Sequence, residues 1–446
     1  GDLPSWPAAH RSGVADGQLL MRRLSVTVGV GLAAALVLGR ATLVTAQEVP
    51  AEVRALHERL LVLDTHLDTP AKLVDPTWSI LDRHSTSEDF SQVDYPRLIE
   101  GGLDGGWWAI YSPQGPLTPQ ATAASLQTAR ERLALIRALT AQHSDRFALA
   151  LTAADAVRIA EARKRVVFIS IENAYPLTGR PEALQAFYDG GVRMLGLVHF
   201  ANNDLADSAT DPGGPKWRGL SPEGRRLVAE ANRLGIVLDA SHASDDVFDQ
   251  LIAYSATPII LSHSGPRDVY DHPRNVGDER LRRLAASGGV IQINALGAYL
   301  KALPETPERT AGLAALRERF GPPAGRTPDQ SAAYLAALRA LNRERPPAQA
   351  DFEDFVAHLL HALAVVGPRH VGIGADWDGG GGVVGLNDVA ALPRITERLL
   401  AEGYSETDLA DIWSGNALRV LAQAEAYAAR RRWPSPAEWR ANFPPS

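Results

Sequence analysis

Cysteine is absent from the 446 residues, which excludes disulfides, thiolate metal sites, a thiol nucleophile and a lipidated N-terminal cysteine. Any metal must therefore be held by His, Asp or Glu. Charge of one sign is missing as well: 45 Lys and Arg stand against 52 Asp and Glu, and the formal net charge of −7 is spread along the chain. Without a basic stripe, nucleic acid is not an expected partner. Internal repeats and low-complexity linkers are also lacking, so the length points to one large domain or two ordinary ones.

Residues 21–46 read as a secretory signal peptide. Met21 opens the segment, Arg22 and Arg23 supply the positive start, Leu24–Gly39 is the apolar stretch, and Val44-Thr45-Ala46 offers a small-residue cleavage site. The stretch falls short of the ~20 residues of a spanning helix, and Arg40 interrupts it. Export to a periplasm or beyond is expected, with an uncleaved membrane anchor as the alternative. Residues 1–20 lack apolar periodicity and are expected to lie outside the fold, as an upstream segment.

From about residue 50 to 429 strand and helix patterns alternate. Eight strands are expected, at Leu61–Asp64, Gly106–Tyr111, Val166–Ile171, Met194–Val198, Ile236–Ala240, Pro258–Leu261, Gly289–Ile293 and Val371–Ala375. Amphipathic stretches lie between most of them, as at Leu126–Ala141. Glu223–Leu234 should be a helix capped by Ser221, with Pro222 in its first turn and Gly235 at its end. Another should start near Ser244, with Asp245 and Asp246 favourable to its dipole. The pattern predicts an α/β fold, an elaborated (β/α)8 TIM barrel. Residues 301–350, rich in Pro, Arg and Ala, interrupt it with one helical piece near Ser331–Leu341; they read as an insertion over the mouth or in an assembly surface. The tail 430–446 reads as an extended wrap.

Acids and imidazoles sit at the ends of the strand candidates: His66 and Asp68, Glu172, His199, His242, His263 and Asp376. In a parallel barrel those ends form one polar mouth. His66 and Asp68, two residues apart, project to one side of an extended chain. Glu172 follows a buried apolar run without Lys or Arg until Arg180, so a metal is its natural partner. His242 and His263 end consecutive strands in similar small-polar settings. The set can hold two Zn²⁺ ions: His66 and Asp68 on one, His242 and His263 on the other, Glu172 on both. Zinc is preferred from the N/O ligands, with Mn or Co as alternatives. Two ions ~3.5–4 Å apart would share a water and polarise an acyl oxygen. Asp376 is then placed to move a proton to a leaving amine, with Asp378 as the neighbouring candidate, better suited to a turn. His199 is placed to donate to a developing oxyanion.

With those residues in view, the chain resembles the membrane (renal) dipeptidase family of zinc peptidases. The stretches that carry the resemblance are DTHLDTP (64–70), ISIEN (169–173), LVHFANNDLADS (197–208), GLSPEGRRLVAEANRLGIVLDASHAS (219–244), SHSGPRDVYDHPRNV (262–276), GIGADWDGG (372–380) and IWSGNALRVL (412–421). The resemblance implies the same five ligands, His199 on the scissile carbonyl, Arg274 on the substrate's C-terminal carboxylate and Asp376 on the proton in flight. It implies hydrolysis of dipeptides through a metal-bridging hydroxide, with small peptides as partners. Asn173-Ala174-Tyr175 replaces the Gly-Gly-His common after the bridging glutamate, and Thr-His-Leu-Asp replaces Gly-His-Asn-Asp, so side-chain preference does not carry over. Without cysteine, any homodimer must be noncovalent. Two other readings stand beside this one: a related binuclear amidohydrolase acting on N-acyl amino acids, lactones or modified peptides, and a non-catalytic barrel serving as a binding module.

Overall fold

The computed structural model describes residues 49–321 and 327–430. The segments expected to be upstream sequence and signal peptide, and the tail beyond Arg430, lie outside the described residues.

Among the described residues nine parallel strands are present: β1 Leu63–Leu67, β2 Gly105–Tyr111, β3 Phe147–Leu149, β4 Arg165–Glu172, β5 Val192–Gly196, β6 Val237–Asp239, β7 Ile260–Ser264, β8 Val290–Ile293 and β9 Val371–Ile373. Eight of them run in the order β1-β2-β4-β5-β6-β7-β8-β9. The seam is drawn together where Leu67 bridges Trp377 and the Asp68 N–H donates to the Trp377 carbonyl at 2.8 Å. This is the (β/α)8 barrel expected from the pattern, nearly closed. The additional strand, β3, pairs with the lower half of the long β4, below β5.

Two apolar layers hold the barrel. Alternation along β2 and β4 sends Trp107, Val166 and Phe168 inward, where Trp107 and Phe168 stack at 4.4 Å alongside Leu63, Met194, Val237, Ile260 and Val290. The opposite phase, Trp108, Val167, Ile169 and Ile171, faces the surrounding helices. Glu172 shares the phase of Val166 and Phe168, so the pleat that fills the barrel also turns this acid into its mouth.

The helix Pro222–Leu234 forms as expected: the Ser221 hydroxyl accepts from the Gly224 N–H at 2.9 Å, and Gly235 closes it at φ 78°. Its buried stripe is Leu227, Val228, Ala231 and Leu234. Ser244 caps Asp245–Tyr254 in the same way. Two expectations are corrected. The strand windows shift by one to three residues, so that His66, Glu172 and His263 lie within β1, β4 and β7 rather than beyond them. The polar residues continue the parallel ladder because their backbone groups still find partners on the neighbouring strands. The described residues of the insertion hold two helices, Pro307–Phe320 and Pro328–Glu344, rather than one. Each starts with a proline directly after its cap, Thr306 or Thr327. Arg339 of the second helix donates to the Glu88 carbonyl, which ties the insertion to the loop after β1, on the mouth side.

Candidate metal centre

All seven of the acids and imidazoles expected at strand ends converge at one end of the barrel. Glu172 is their hub. Its Oε1 lies 3.1 Å from His242 Nε2, 3.5 Å from His263 Nε2 and 3.6 Å from His199 Nε2, while Oε2 lies 3.6 Å from His66 Nε2. His66 Nε2 is 3.3 Å from Asp68 Oδ2 and 4.0 Å from Asp376 Oδ1. The Nε2 atoms of His242 and His263 are 2.9 Å apart, and the rings of His66 and His263 stack at 3.8 Å. Each of these side chains is buried; His66 is 2 % exposed and Glu172 5 %.

Local backbone geometry aims them. The ladders of β1 with β2 and of β7 with β8 lose register at Asp64–Leu67 and Leu261–Ser264, the stretches that carry His66 and His263. Irregularities of this kind re-aim side chains that strict alternation would send elsewhere. Asn173, His242, Asp376 and Asp378 adopt φ of 66°, 67°, 64° and 63°. Left-handed backbone in non-glycine residues costs energy and persists only where the surroundings enforce it. Here four such residues gather around one cluster. Asp64 supplies part of the enforcement: its Oδ1 accepts from the His66 N–H at 2.8 Å and its Oδ2 from the Ala375 N–H at 3.0 Å.

The electrostatics describe a site short of positive charge. Burial pushes the Asp376 carboxyl up to about 8; His66 opposes this, and the charges of Asp68 and Glu172 add to it. Burial also raises Glu172, against the pull of His66. His66 is held well above its usual range: burial disfavours its charge, but Glu172 and Asp68 more than offset that. His199, His242 and His263 are driven well below theirs by burial and by the positive charge of Arg274. Neutral imidazoles facing crowded carboxylates are the donor set of a divalent cation, which would relieve the repulsion. Spacing agrees. Tetrahedral zinc with ~2.0–2.1 Å bonds to nitrogen or oxygen sets its donors about 3.3 Å apart. The pairs around Glu172 and between His66 and Asp68 run from 2.9 to 3.6 Å. His66 Nε2 and Asp68 Oδ1 are, in addition, buried without a hydrogen-bond partner. The residues fit a divalent metal ion.

Asp378 is a loop anchor, as a turn residue would be: it accepts from the Thr69 hydroxyl and the Gln92 N–H, both at 2.7 Å. Arg274 is buried beside the cluster, its Nη2 donating to the His263 carbonyl at 3.1 Å, its guanidinium 5.2 Å from the Tyr299 ring centre, and its Nε without a partner. The residues after Glu172 that depart from the family pattern pack behind the mouth. Asn173, 0 % exposed, donates to the Ser112 carbonyl at 2.8 Å and accepts from Asn203 at 3.2 Å, and Tyr175 donates to the Pro116 carbonyl at 2.6 Å. Sequence reasoning missed Asp64, Asp239, Ser262 and Tyr299. For the first two a signal was there, a buried aspartate two or three residues before a histidine in both DTH and DASH.

The sequence profile of the family described as membrane dipeptidase, peptidase family M19, matches residues 50–435. An uncharacterised dipeptidase of Schizosaccharomyces pombe is 29 % identical, over 86 % of this chain and 85 % of its own. Dipeptidase 3 of Macaca fascicularis is 29 % identical, over 89 % and 71 %. The probable dipeptidase PvdM of Pseudomonas aeruginosa superposes with a TM-score of 0.71 at 30 % identity, covering 84 % of this chain and 98 % of that one. A metallopeptidase of Rhodobacter sphaeroides, solved with a phosphinate mimic of the dipeptide L-Ala-D-Ala, superposes with a TM-score of 0.63 at 26 % identity, over 82 % and 99 %.

Proposed function

The chain belongs to the membrane dipeptidase family of metallopeptidases, and from that premise we propose that it hydrolyses dipeptides with a free C-terminal carboxylate at a centre of two zinc ions. The observation that carries the two-ion reading is the division of Glu172: one carboxylate oxygen faces His242 and His263, the other faces His66. A carboxylate can serve two cations in that way. His66 and Asp68 would hold one ion, His242 and His263 the other. When bound, such a pair lowers the pKa of a water toward ~7 and polarises an acyl oxygen.

The chain's own residues do the rest. Arg274 offers a guanidinium fork to the substrate carboxylate, a bidentate charge-assisted contact that orients the peptide bond over Glu172. His199 is neutral in this setting and retains one N–H to give to the oxygen of the scissile carbonyl as charge develops there. Asp376, across the mouth near His66, takes a proton from the attacking water and returns it to the leaving amine. Burial of the whole cluster strengthens each of these interactions. The mimic in the Rhodobacter sphaeroides relative supports a dipeptide substrate and a D residue in its second position. The signal-peptide reading of residues 21–46 supports action outside the cytoplasm.

The test is a library of L,L and L,D dipeptides, each also as its C-terminal amide, with elemental analysis of the purified protein. The proposal expects two equivalents of metal, turnover of free dipeptides that stops on chelation and returns with zinc, and poor turnover of the amides. Fewer than one equivalent of metal, or equal turnover of amides, would overturn it.

A further inference from the structure

Beneath the histidine pair lies a chain of hydrogen bonds that none of these roles uses. Asp239, the last residue of β6 and 5 % exposed, accepts from two backbone N–H groups through Oδ1, those of Ser241 and Ser262, each at 2.9 Å. Its Oδ2 accepts from the Ser262 hydroxyl at 2.5 Å. The same hydroxyl oxygen lies 2.8 Å from His263 Nδ1.

The protons can be counted. Ser262 has one to donate. A second acceptor, the Ser241 hydroxyl, is 3.4 Å away, against 2.5 Å for the carboxylate. That short contact is the length of a charge-assisted O–H···O⁻ bond, so the Ser262 proton points at Asp239. The contact with His263 then needs a proton on Nδ1. Nε2 of His263 is left bare, facing His242 Nε2 at 2.9 Å and Glu172 Oε1 at 3.5 Å. Nothing comparable acts on His242, whose Nδ1 is buried without a partner.

We propose that Asp239 is a positioning residue that, through Ser262, holds His263 in the Nδ1-protonated tautomer and so presents its Nε2 lone pair to a metal ion. The inference rests on the two-ion reading above. It makes the two histidines of one ion unequal. His263 is preset as a ligand, whereas His242, whose Nε2 proton faces His263 here, must carry that proton on Nδ1 instead before its Nε2 can bind. Histidine ligands set by an outer hydrogen bond bind metal more tightly than free ones, and loss of the outer partner typically costs about 10–100-fold in affinity.

The experiment uses the full chain with Ser262→Ala, Ser262→Thr and Asp239→Asn. Zinc affinity of each equivalent is measured by competition with a chelator, and ¹⁵N spectra of labelled histidine are recorded with and without metal. His263 is identified among the 12 histidines by His263→Gln. The expected result is an Nδ1-protonated His263 in the wild-type protein in both states. Affinity for one equivalent should fall roughly 10–100-fold in Ser262→Ala and Asp239→Asn and recover in Ser262→Thr, with the other equivalent unchanged. A wild-type His263 protonated on Nε2 overturns the proposal whatever the variants do. So does wild-type affinity in a folded Ser262→Ala, although the two-ion reading survives that outcome. A wild-type protein that takes up less than one equivalent ends both.

Discussion

The N–H of Asp68 donates to the carbonyl of Trp377 at 2.8 Å, across the seam between the first and last strands of the barrel. One bond thus places the Asp68 carboxylate next to the left-handed turn that carries Asp376. Thr69 and Asp378, the next residue on each side, repeat the stitch at 2.7 Å, and Gln92 and Asp378 exchange backbone and side-chain hydrogen bonds above it. Closure of the sheet and assembly of the site are one event here. Two of the mouth's left-handed residues, Asp376 and Asp378, lie at this seam.

Asp376→Asn tests the proton step at that seam. The amide keeps the shape and the turn but can neither take a proton from water nor return it to an amine. We expect kcat to fall by about 10²–10⁴-fold, the usual contribution of a positioned acid–base group. Metal content should remain at the wild-type value. Loss of metal together with activity would make Asp376 a ligand instead, a role that its position 4.0 Å from His66 Nε2 makes worth distinguishing.

Arg274→Ala tests recognition of the substrate carboxylate. Hydrogen bonds to charged groups contribute about 1.5–3 kcal/mol, equivalent to roughly 10–150-fold. KM for dipeptides should rise by a factor in that range. C-terminal amides, already poor substrates, should change little. A uniform loss on both substrate classes would assign Arg274 to holding the end of β7, where it also contacts the His263 carbonyl.

Removal of metal should cost stability as well as activity. Asp68, Glu172 and Asp376 share one buried mouth, and the raised values of Glu172 and Asp376 show how poorly it tolerates uncompensated negative charge. An ion present at 1,000 times its Kd stabilises the folded state by about 4 kcal/mol. Thermal unfolding after chelation should therefore occur several degrees lower and recover on addition of zinc. An unchanged Tm would mean that the cluster does not bind ions appreciably.

Much of this was legible in the sequence, for identifiable reasons. The Pro222–Leu234 helix carries its own start and stop in Ser221, Pro222 and Gly235, all local signals. The clustered acids and imidazoles were legible because such residues at the ends of apolar runs point to one polar mouth in a parallel barrel. What was not legible depends on neighbours. The three residues of β3 hold no pattern and are a strand because β4 offers them a ladder. The helix that begins at Pro307 is not announced by the Pro-rich composition around it, since only the position of the turn decides whether proline ends a helix or begins one. Alternation along β1 and β7 aims neither His66 nor His263; register irregularities do. Asp239 looked like a strand residue because its function is visible only once Ser262 lies alongside it.

The last prediction lies away from the mouth, at His57. Its ring is buried against Trp413 at 5.1 Å, with Nδ1 2.7 Å from the Thr396 hydroxyl and Nε2 2.9 Å from the Gly101 carbonyl. A carbonyl only accepts, so Nε2 carries the proton. Thr396 receives the Trp413 N–H at 2.9 Å and gives its own proton to Nδ1. A second proton on the ring would set two donors against each other in an apolar pocket. Burial accordingly lowers the His57 pKa from 6.5 to about 4, with the Gly101 carbonyl opposing the shift. In the unfolded chain the ring protonates near 6.5. The unfolded state therefore binds the extra proton between pH 6.5 and about 4, and stability is lost as pH falls through that window. For a shift of this size the loss is roughly 3 kcal/mol by pH 4. His57→Gln keeps a donor for Gly101 and cannot titrate. It should be less stable than wild type at pH 7, and the gap should close as pH drops to 4.5 when both are unfolded in urea. Parallel pH profiles for the two proteins would mean that His57 is not the group responsible.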